Sequence, residues 1–316
     1  MVRSLLPIIL LAGVTLPAAQ NVEDRSYKLT VDVELVQLPV SVLDKHGLSV
    51  PGLPPESFRV YEDKVLQDIS LFKQEDVALS VGLLIDASGS MRDKLDRLKT
   101  ATTAFTKASN PEDQTAILTF GDELVLEQDF ADNNSNLSRA LMNIPPNRGT
   151  ALYDAVFRAA RYLERNASHE KKVLLVVSDG EDNKSKYDLK QVLKAVSESK
   201  IIVYTVGLLG SGLSSYGIDG GTAKKSLQQL ASVTGGASFF PKNIDQVAEM
   251  CATIARDLRS QYTIGYQPSN RNLDGSWRRV VVRVKPPKNT PSLKVRTKQG
   301  YYAPQLTRDP LRESIQ

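Results

Sequence analysis

Between residues 78 and 258 the hydrophobic period switches repeatedly between strand and helix, and that alternation constrains the fold more than any other feature of the chain. Short apolar runs read as strands at Leu79–Ile85, Thr115–Phe120, Val173–Val177, Ile201–Val206 and Ala237–Phe240. The run Val173-Leu174-Leu175-Val176-Val177 is apolar at every position, as expected of a parallel strand covered on both faces. Between the runs, apolar residues recur at helical spacing. Met91, Leu95, Leu98 and Phe105 form one stripe, Leu152, Val156, Ala159 and Leu163 a second, and Leu189, Val192, Leu193 and Val196 a third. Each stripe is expected to pack against the sheet. Strand–helix alternation predicts an α/β fold with a doubly wound, mainly parallel sheet. Glu123–Asp129, after the Gly121-Asp122 turn, is expected to add one antiparallel edge strand.

On either side of this segment the period is two. Leu29, Val31, Val33 and Leu35 alternate with polar residues, and Val36, Leu38, Val40 and Val42 continue one residue out of phase, as a β-bulge would produce. Phe58–Tyr61 and Ile69–Phe72 read as short strands, with Pro51, Gly52, Pro54 and Pro55 in a turn ahead of them. Beyond residue 260, strands are expected at Tyr262–Tyr266, around Val280, Val282 and Val284, and around Leu293, Val295 and Thr297. Neither flank is long enough for a solid core alone. The two are therefore expected to pair as a β-sandwich with the α/β domain inserted between its halves. The organisation read from these shifts is a leader over 1–19, half of the sandwich over 20–76, the α/β domain over 77–259, the second half over 260–303 and a charged tail over 304–316.

The first 19 residues have the form of a secretory signal: Arg3, an apolar core from Leu5 to Leu16, then Ala18-Ala19. An uncleaved anchor is the alternative reading. No later apolar run has spanning length, so the mature protein is expected to be exported, periplasmic or extracellular, with no membrane span. The formal net charge of +4 comes from mixed signs without a basic stripe, which argues against nucleic-acid binding. His46 and His169 stand far apart, in no ligand-like spacing. Cys251 is the only cysteine, which excludes an intramolecular disulfide. It shares a helical face with Val247, Met250, Ile254 and Leu258 and reads as a core residue, not a nucleophile.

The chemistry gathers where strands meet helices. Asp86-Ala87-Ser88-Gly89-Ser90 follows the first α/β strand and places one carboxylate and two hydroxyls on a turn. Asn147-Arg148-Gly149-Thr150 sets a hydroxyl just before a helix, and Ser178-Asp179-Gly180 sets a carboxylate after the Val173–Val177 strand. Ligands of doubly wound sheets bind at the carboxyl ends of strands. Asp86, Ser88, Ser90, Thr150 and Asp179 are therefore expected to converge as an all-oxygen set suited to a hard divalent cation. Taken one at a time, each could serve as a helix cap or turn former. Asp122, Glu181 and Asp182 are expected as an acidic rim that raises local cation concentration. Tyr216, in the Gly- and Ser-rich loop Leu208–Gly221, is a candidate anchor for a partner.

Asp86-x-Ser88-x-Ser90, Thr150 and the Ser-Asp-Gly at Asp179 together resemble the metal-ion-dependent adhesion site of von Willebrand factor type A domains. The resemblance covers roughly residues 78–258. Pro-Gly-Leu and Phe-Arg-Val-Tyr-Glu-Asp before the domain, with Leu-Arg-Ser-Gln-Tyr-Thr-Ile-Gly-Tyr and Gly300-Tyr301-Tyr302 after it, look like the bacterial VWFA-related family of exported proteins. The resemblance implies a Rossmann-like domain in which Ser88 and Ser90 bind the metal through their hydroxyls. Thr150 would bind directly or through water, and Asp86 and Asp179 would orient waters or coordinate directly. The cofactor expected is Mg2+, with Mn2+ or Ca2+ as alternatives.

Two carboxylates and three neutral hydroxyls leave such an ion short of its usual ligands, and the acidic side chain of a partner protein can complete the shell. The expected function is thus a non-enzymatic, metal-dependent protein-binding module with no catalytic residues. A metal-dependent hydrolase using the same ion is one alternative, opposed by the absence of a nearby histidine or activated nucleophile. A structural envelope protein with a stabilising metal is the other.

Overall fold

The computed structural model describes residues 35–74, 76–94, 98, 105, 110–132, 149–209, 220–243, 245–286 and 292–305. They belong to the compact unit Val33–Gln316. The predicted leader, the strand residues before 35, Leu95, Asn147, Arg148, Tyr216 and the tail beyond 305 lie outside the described residues.

In chain order the strands are β1 (Val36–Leu43), β2 (Phe58–Glu62), β3 (Val65–Gln67), β4 (Ile69–Lys73), β5 (Leu79–Asp86), β6 (Gln114–Phe120), β7 (Leu124–Asp132), β8 (Lys171–Ser178), β9 (Ile201–Gly207), β10 (Ser238–Phe239), β11 (Tyr262–Tyr266), β12 (Trp277–Val284), β13 (Lys294–Arg296) and β14 (Gly300–Tyr302). The described α-helices are α1 (Leu152–Asn166), α2 (Leu189–Glu198), α3 (Gly220–Thr234) and α4 (Gln246–Arg259). A 3-10 segment, Gly89–Lys94, stands where the periodicity predicts the start of an α-helix. The Met91 N–H donates to the Ser88 carbonyl three residues back (3.0 Å), which sets the tighter turn. Among the described residues no helix is long and apolar enough to cross a membrane.

One sheet has the order β10-β9-β8-β5-β6-β7. All its pairings are parallel except β6 with β7, the expected antiparallel edge. All eight residues of β5 are buried because the sheet is covered on both faces. Val81, Leu83, Ile85, Val173, Leu175 and Val177 face one apolar cluster, closed by Val247, Cys251, Ile254 and Leu258 of α4. Leu84, Leu174 and Val176 face the other, against Leu152, Val156, Ala159 and Leu163 of α1. Full burial of each such side chain contributes about 1.5–3 kcal/mol, so these stripes carry the sheet's stability. α2 starts at a reciprocal cap: the Gln191 N–H donates to the Asp188 carboxylate (2.7 Å), and the Asp188 N–H donates to Gln191 Oε1 (2.9 Å).

Two four-stranded sheets, β13-β1-β11-β4 and β14-β12-β2-β3, use strands from both sides of the α/β segment. Their pairings are antiparallel. Alternate residues Val36, Leu38, Val40 and Val42 of the first share an apolar cluster with Phe58, Val60, Val280 and Val282 of the second. Phe58 and Tyr262 meet across it with ring centroids 5.0 Å apart. β3 and β14 have no counterpart among the predicted strands.

Candidate metal centre

The strand order sets the place of the site. From β5 the chain moves outward to β6 and β7, then returns to β8 on the other side of β5. The crevice of a doubly wound sheet lies at such a reversal, outside the carboxyl ends of the strands. Asp86 is the last residue of β5 and Ser178 the last of β8. Because Ile85 is in register with Val177, these two ends lie side by side.

Four of the five predicted residues are joined there. Asp86 Oδ1 accepts the Ser88 N–H (2.9 Å), and Asp86 Oδ2 accepts the Ser178 hydroxyl (2.7 Å). The Ser88 and Ser90 hydroxyls are 3.0 Å apart. The Ser90 hydroxyl donates to Asp179 Oδ2 at 2.6 Å. Asp179 Oδ1 also accepts the Glu181 N–H (3.3 Å). Asp86, Ser88 and Asp179 are buried and Ser90 is half-buried. Gly180 holds the turn after Asp179 at φ +80°, a conformation that favours glycine, and its N–H donates to Ser178 Oγ (2.9 Å).

Thr150 is buried on the adjoining loop. Its carbonyl accepts N–H bonds from Asn183 and Lys184 (2.9 and 3.1 Å), and its own N–H donates to Asn183 Oδ1 (3.1 Å). The Ala151 N–H donates to the Gly121 carbonyl at 2.7 Å, which seats this loop against the end of β6. Asp122 belongs to the same wall. A Cβ on Gly149 would stand 1.8 Å from Asp122 Oδ1, so the glycine makes room for that carboxylate.

Asp182 accepts the Tyr153 N–H (3.2 Å) and the Ser185 hydroxyl (2.5 Å), and so ties its loop to the first turn of α1. Glu181 lies next to the core of the set. Ser178, the serine of the Ser-Asp-Gly motif, and Asn183 hold the set in place, yet the sequence marks neither one for that holding role. A serine beside an aspartate and an asparagine in a polar loop are ordinary turn residues.

The electrostatics follow from burial. Desolvation, then the neighbouring Asp179 charge, pushes the Asp86 carboxyl up to about 6. Burial and Asp179 likewise raise the Glu181 carboxyl, against an opposing pull from Lys94. Two carboxylates that repel at short range, among three hydroxyls, form a hard-oxygen donor set that fits a divalent cation of the Mg2+ kind. Among the described residues no group of three or more His, Cys, Asp or Glu side chains is disposed to hold a metal ion. Cys251 takes no part: it is buried among apolar residues of α4, and burial pushes its thiol up to about 12.

The family model described as von Willebrand factor type A domain matches residues 81–181 of the chain. No curated protein matches it. Among solved structures, the chain is similar to BatB from Bacteroides thetaiotaomicron at 18% identity, covering 58% of this chain and 100% of that one, with a TM-score of 0.45. It is also similar to a von Willebrand factor type A protein from Catenulispora acidiphila at 13% identity, covering 88% and 75%, with a TM-score of 0.48. A third is proximal thread matrix protein 1 from the mussel byssus, described with a zinc-occupied MIDAS motif, at 15% identity, covering 62% and 49%, with a TM-score of 0.48. The matched segment runs from β5 to Glu181 and takes in Asp86, Ser88, Ser90, Thr150 and Asp179; over residues 81–181 this chain matches the von Willebrand factor type A domain model.

Proposed function

We propose that this chain is an exported, non-enzymatic protein-binding module that uses a divalent cation, Mg2+ first, to hold an acidic side chain of a partner protein. The observation that carries this reading is the hydrogen-bonded chain Ser178–Asp86–Ser88–Ser90–Asp179 at the strand-order reversal. Asp86, Ser88, Ser90 and Asp179 are read as its metal residues, with Thr150 on the loop beside them. The bound cation would supply an open coordination position for the partner's carboxylate. Ser88 and Ser90 present neutral oxygens, and Ser178 fixes the carboxylate of Asp86. Asp122, Glu181, Asp182 and Tyr216 are read as the rim toward the partner.

In this reading residues 1–19 direct export to the envelope. Residues 20–76 and 260–303 form the two halves of a β-sandwich that carries the domain of residues 77–259. The antiparallel sheets that share the Phe58–Tyr262 cluster support that arrangement.

The test is a titration of Mg2+ against the thermal midpoint, since a ligand that binds only the native state stabilises it. Wild type is expected to gain stability that EDTA removes, and Asp86→Ala and Ser88→Ala to lose the response. Equal shifts in wild type and both variants would sink the metal assignment. A pull-down from the cell envelope with and without EDTA, comparing wild type with Asp86→Ala, tests the partner.

A further inference from the structure

The sheet β14-β12-β2-β3 buries one set of alternate residues and turns the other set outward. Phe58, Val60, Val280 and Val282 enter the apolar cluster it shares with the sheet of β1. On the outer face the register lines up Val281, Tyr61 and Leu66 in one row and sets Arg283 opposite Arg59 in the next. Arg279 stands on the far side of the Val281 row, and Trp277 pairs with Tyr302 of β14. Trp277 is 38% exposed, and Val65 and Leu66, which follow the hairpin turn, are 55% and 52% exposed. The rings are held in place. Trp277 and Tyr302 meet edge to face with centroids 4.9 Å apart, Lys194 of α2 lies 5.3 Å from the Tyr302 ring, and Arg283 lies 5.1 Å from the Tyr61 ring. A Cβ on Gly300 would stand 2.6 Å from the indole, so the glycine lets Trp277 lie across β14.

The arginines of this face are not matched by acids. Arg59 Nη1 donates to the carbonyls of Glu56 and Phe58 (3.0 and 2.8 Å). Among the described residues no carboxylate forms an ion pair with Arg59, Arg279 or Arg283. Asp63 accepts the backbone N–H of Arg279 (2.9 Å), and Glu62 and Asp274 are turned to the buried Arg278. The acids that border the rows, Glu56, Asp63, Asp68 and Glu198, are equalled in number by the bordering Lys64, Lys194, Lys285 and Lys298. The surplus is therefore that of the three arginines. Like charges directly across two strands, as at Arg59 and Arg283, cost stability in water. Against a negative surface the same row attracts.

A soluble polyanion answers the arginines alone and offers nothing to Val65, Leu66 and the exposed part of Trp277. An anionic bilayer answers both. Its phosphates fit guanidinium groups, and aliphatic and indole side chains settle at the boundary between headgroups and acyl chains. We propose that the outer face of β14-β12-β2-β3 docks this protein on an anionic lipid bilayer, with Val65, Leu66 and Trp277 at that boundary and Arg59, Arg279 and Arg283 on headgroup phosphates. The attachment is peripheral, made by a sheet, and independent of any divalent cation in the crevice.

Trp277 is the single tryptophan of the chain, so its fluorescence reads this face alone. The test mixes the full chain, in EDTA, with vesicles of equal parts phosphatidylglycerol and phosphatidylcholine, and with vesicles of phosphatidylcholine only. With the anionic vesicles wild type is expected to sediment and to shift its emission to the blue, less so as salt is raised. The triple variant Arg59→Gln, Arg279→Gln, Arg283→Gln is expected to bind about a hundredfold more weakly, at roughly fivefold per charge. Leu66→Ser is expected to lose about fivefold with the charge unchanged. Arg256→Gln on α4, across the parallel sheet from α2, is expected to stay within about twofold of wild type. The triple variant loses a repelling pair and is expected to melt no lower than wild type; should it not fold, Arg279→Gln and Leu66→Ser decide. Equal binding to neutral vesicles, an unshifted Trp277 emission, or undiminished binding in a folded arginine variant overturns the proposal. So does poly-glutamate bound as tightly as the vesicles and unaffected by Leu66→Ser, which would make the face a site for soluble polyanions.

Discussion

Asp86 and Asp257 are both buried acids of the α/β segment, and their surroundings are opposite in kind. At the carboxyl edge of the sheet, Asp86 is met by a backbone N–H and a serine hydroxyl, and Asp179 by another hydroxyl and another N–H. Among the described residues no ion pair forms at either carboxylate. Near the end of α4, Asp257 takes the guanidinium of Arg296, the hydroxyl of Tyr204 (2.5 Å) and the hydroxyl of Ser49 (3.3 Å). Arg296 also bonds Ser41 of β1 at 2.8 Å, and Lys171 donates to the Leu258 carbonyl at 2.6 Å. The second cluster carries its own cations and joins α4 to β9, β1 and β13. The first is acidic and held by neutral donors. Equal burial therefore serves two ends: a charge-matched clamp, and an acidic set suited to a cation from outside.

The sharpest way to break this comparison is to remove one acid from each cluster. Asp257→Ala leaves the Arg296 guanidinium without its carboxylate, and breaking a buried pair in this way costs about 3–5 kcal/mol. Denaturant unfolding is expected to show that loss equally in Mg2+ and in EDTA. A metal-dependent loss would mean that the clamp and the crevice are not separate.

Lys171 sharpens the clamp side through pH. Burial lowers its ammonium to about 8 from an ordinary 10.5, against the pull of Asp257, Asp76 and Asp113. Between those pH values the unfolded chain holds a proton that the native state has released. Stability therefore rises with pH over this window and is lost again as pH falls through 8, by up to roughly 3 kcal/mol relative to a variant without the group. Unfolding of wild type and Lys171→Met from pH 7 to 11 measures the difference. Parallel curves would show that Lys171 is not desolvated in solution.

On the crevice side, Asp86→Asn removes an acid that burial and Asp179 already disfavour. In EDTA at neutral pH its cost is expected to stay under about 1 kcal/mol, because repulsion with Asp179 disappears with the charge. In Mg2+ at a hundred times the dissociation constant the variant is expected to fall about 2.7 kcal/mol short of wild type, the stabilisation such binding supplies. A large cost in EDTA would place Asp86 with Asp257 as a structural acid.

These clusters were unequally legible. The crevice could be read because its residues fall just after apolar runs, and strand ends of a doubly wound sheet gather at one edge. Asp86, Ser88, Ser90 and Asp179 are joined for that reason, although two of them stand 89 residues apart. The clamp has no such local signal. Arg296 and Tyr204 reach Asp257 from 39 and 53 residues away, across three elements, and each alone reads as an ordinary strand residue. β3 escaped for a local reason. Its hairpin with β2 turns on Asp63 and Lys64 at φ 45° and 74°, where a two-residue turn usually announces itself with glycine or Asn-Gly. The tighter 3-10 turn at Gly89–Lys94 has no marker of its own, because the buried stripe of Met91 and Leu98 keeps α-helical spacing and Leu98, beyond that turn, is α-helical.

The smallest expected effect separates holding a ligand from being one. Ser178 donates to Asp86 Oδ2 and accepts from the Gly180 N–H, so its hydroxyl joins the ends of β5 and β8. Ser178→Ala leaves a buried carboxylate oxygen and a backbone N–H each short of one partner, a cost of about 1–3 kcal/mol that strand-end relaxation brings toward the lower figure. Asp86 and Asp179 both remain, so the Mg2+-dependent rise in midpoint is expected to survive at reduced size, with weaker Mn2+ affinity from a less firmly oriented Asp86. A response abolished as fully as in Asp86→Ala would make the Ser178 hydroxyl a ligand in its own right. An unchanged response would show that Ser88 and the strand end orient Asp86 without it. The two results separate a crevice built around a cation from a polar joint between neighbouring strands.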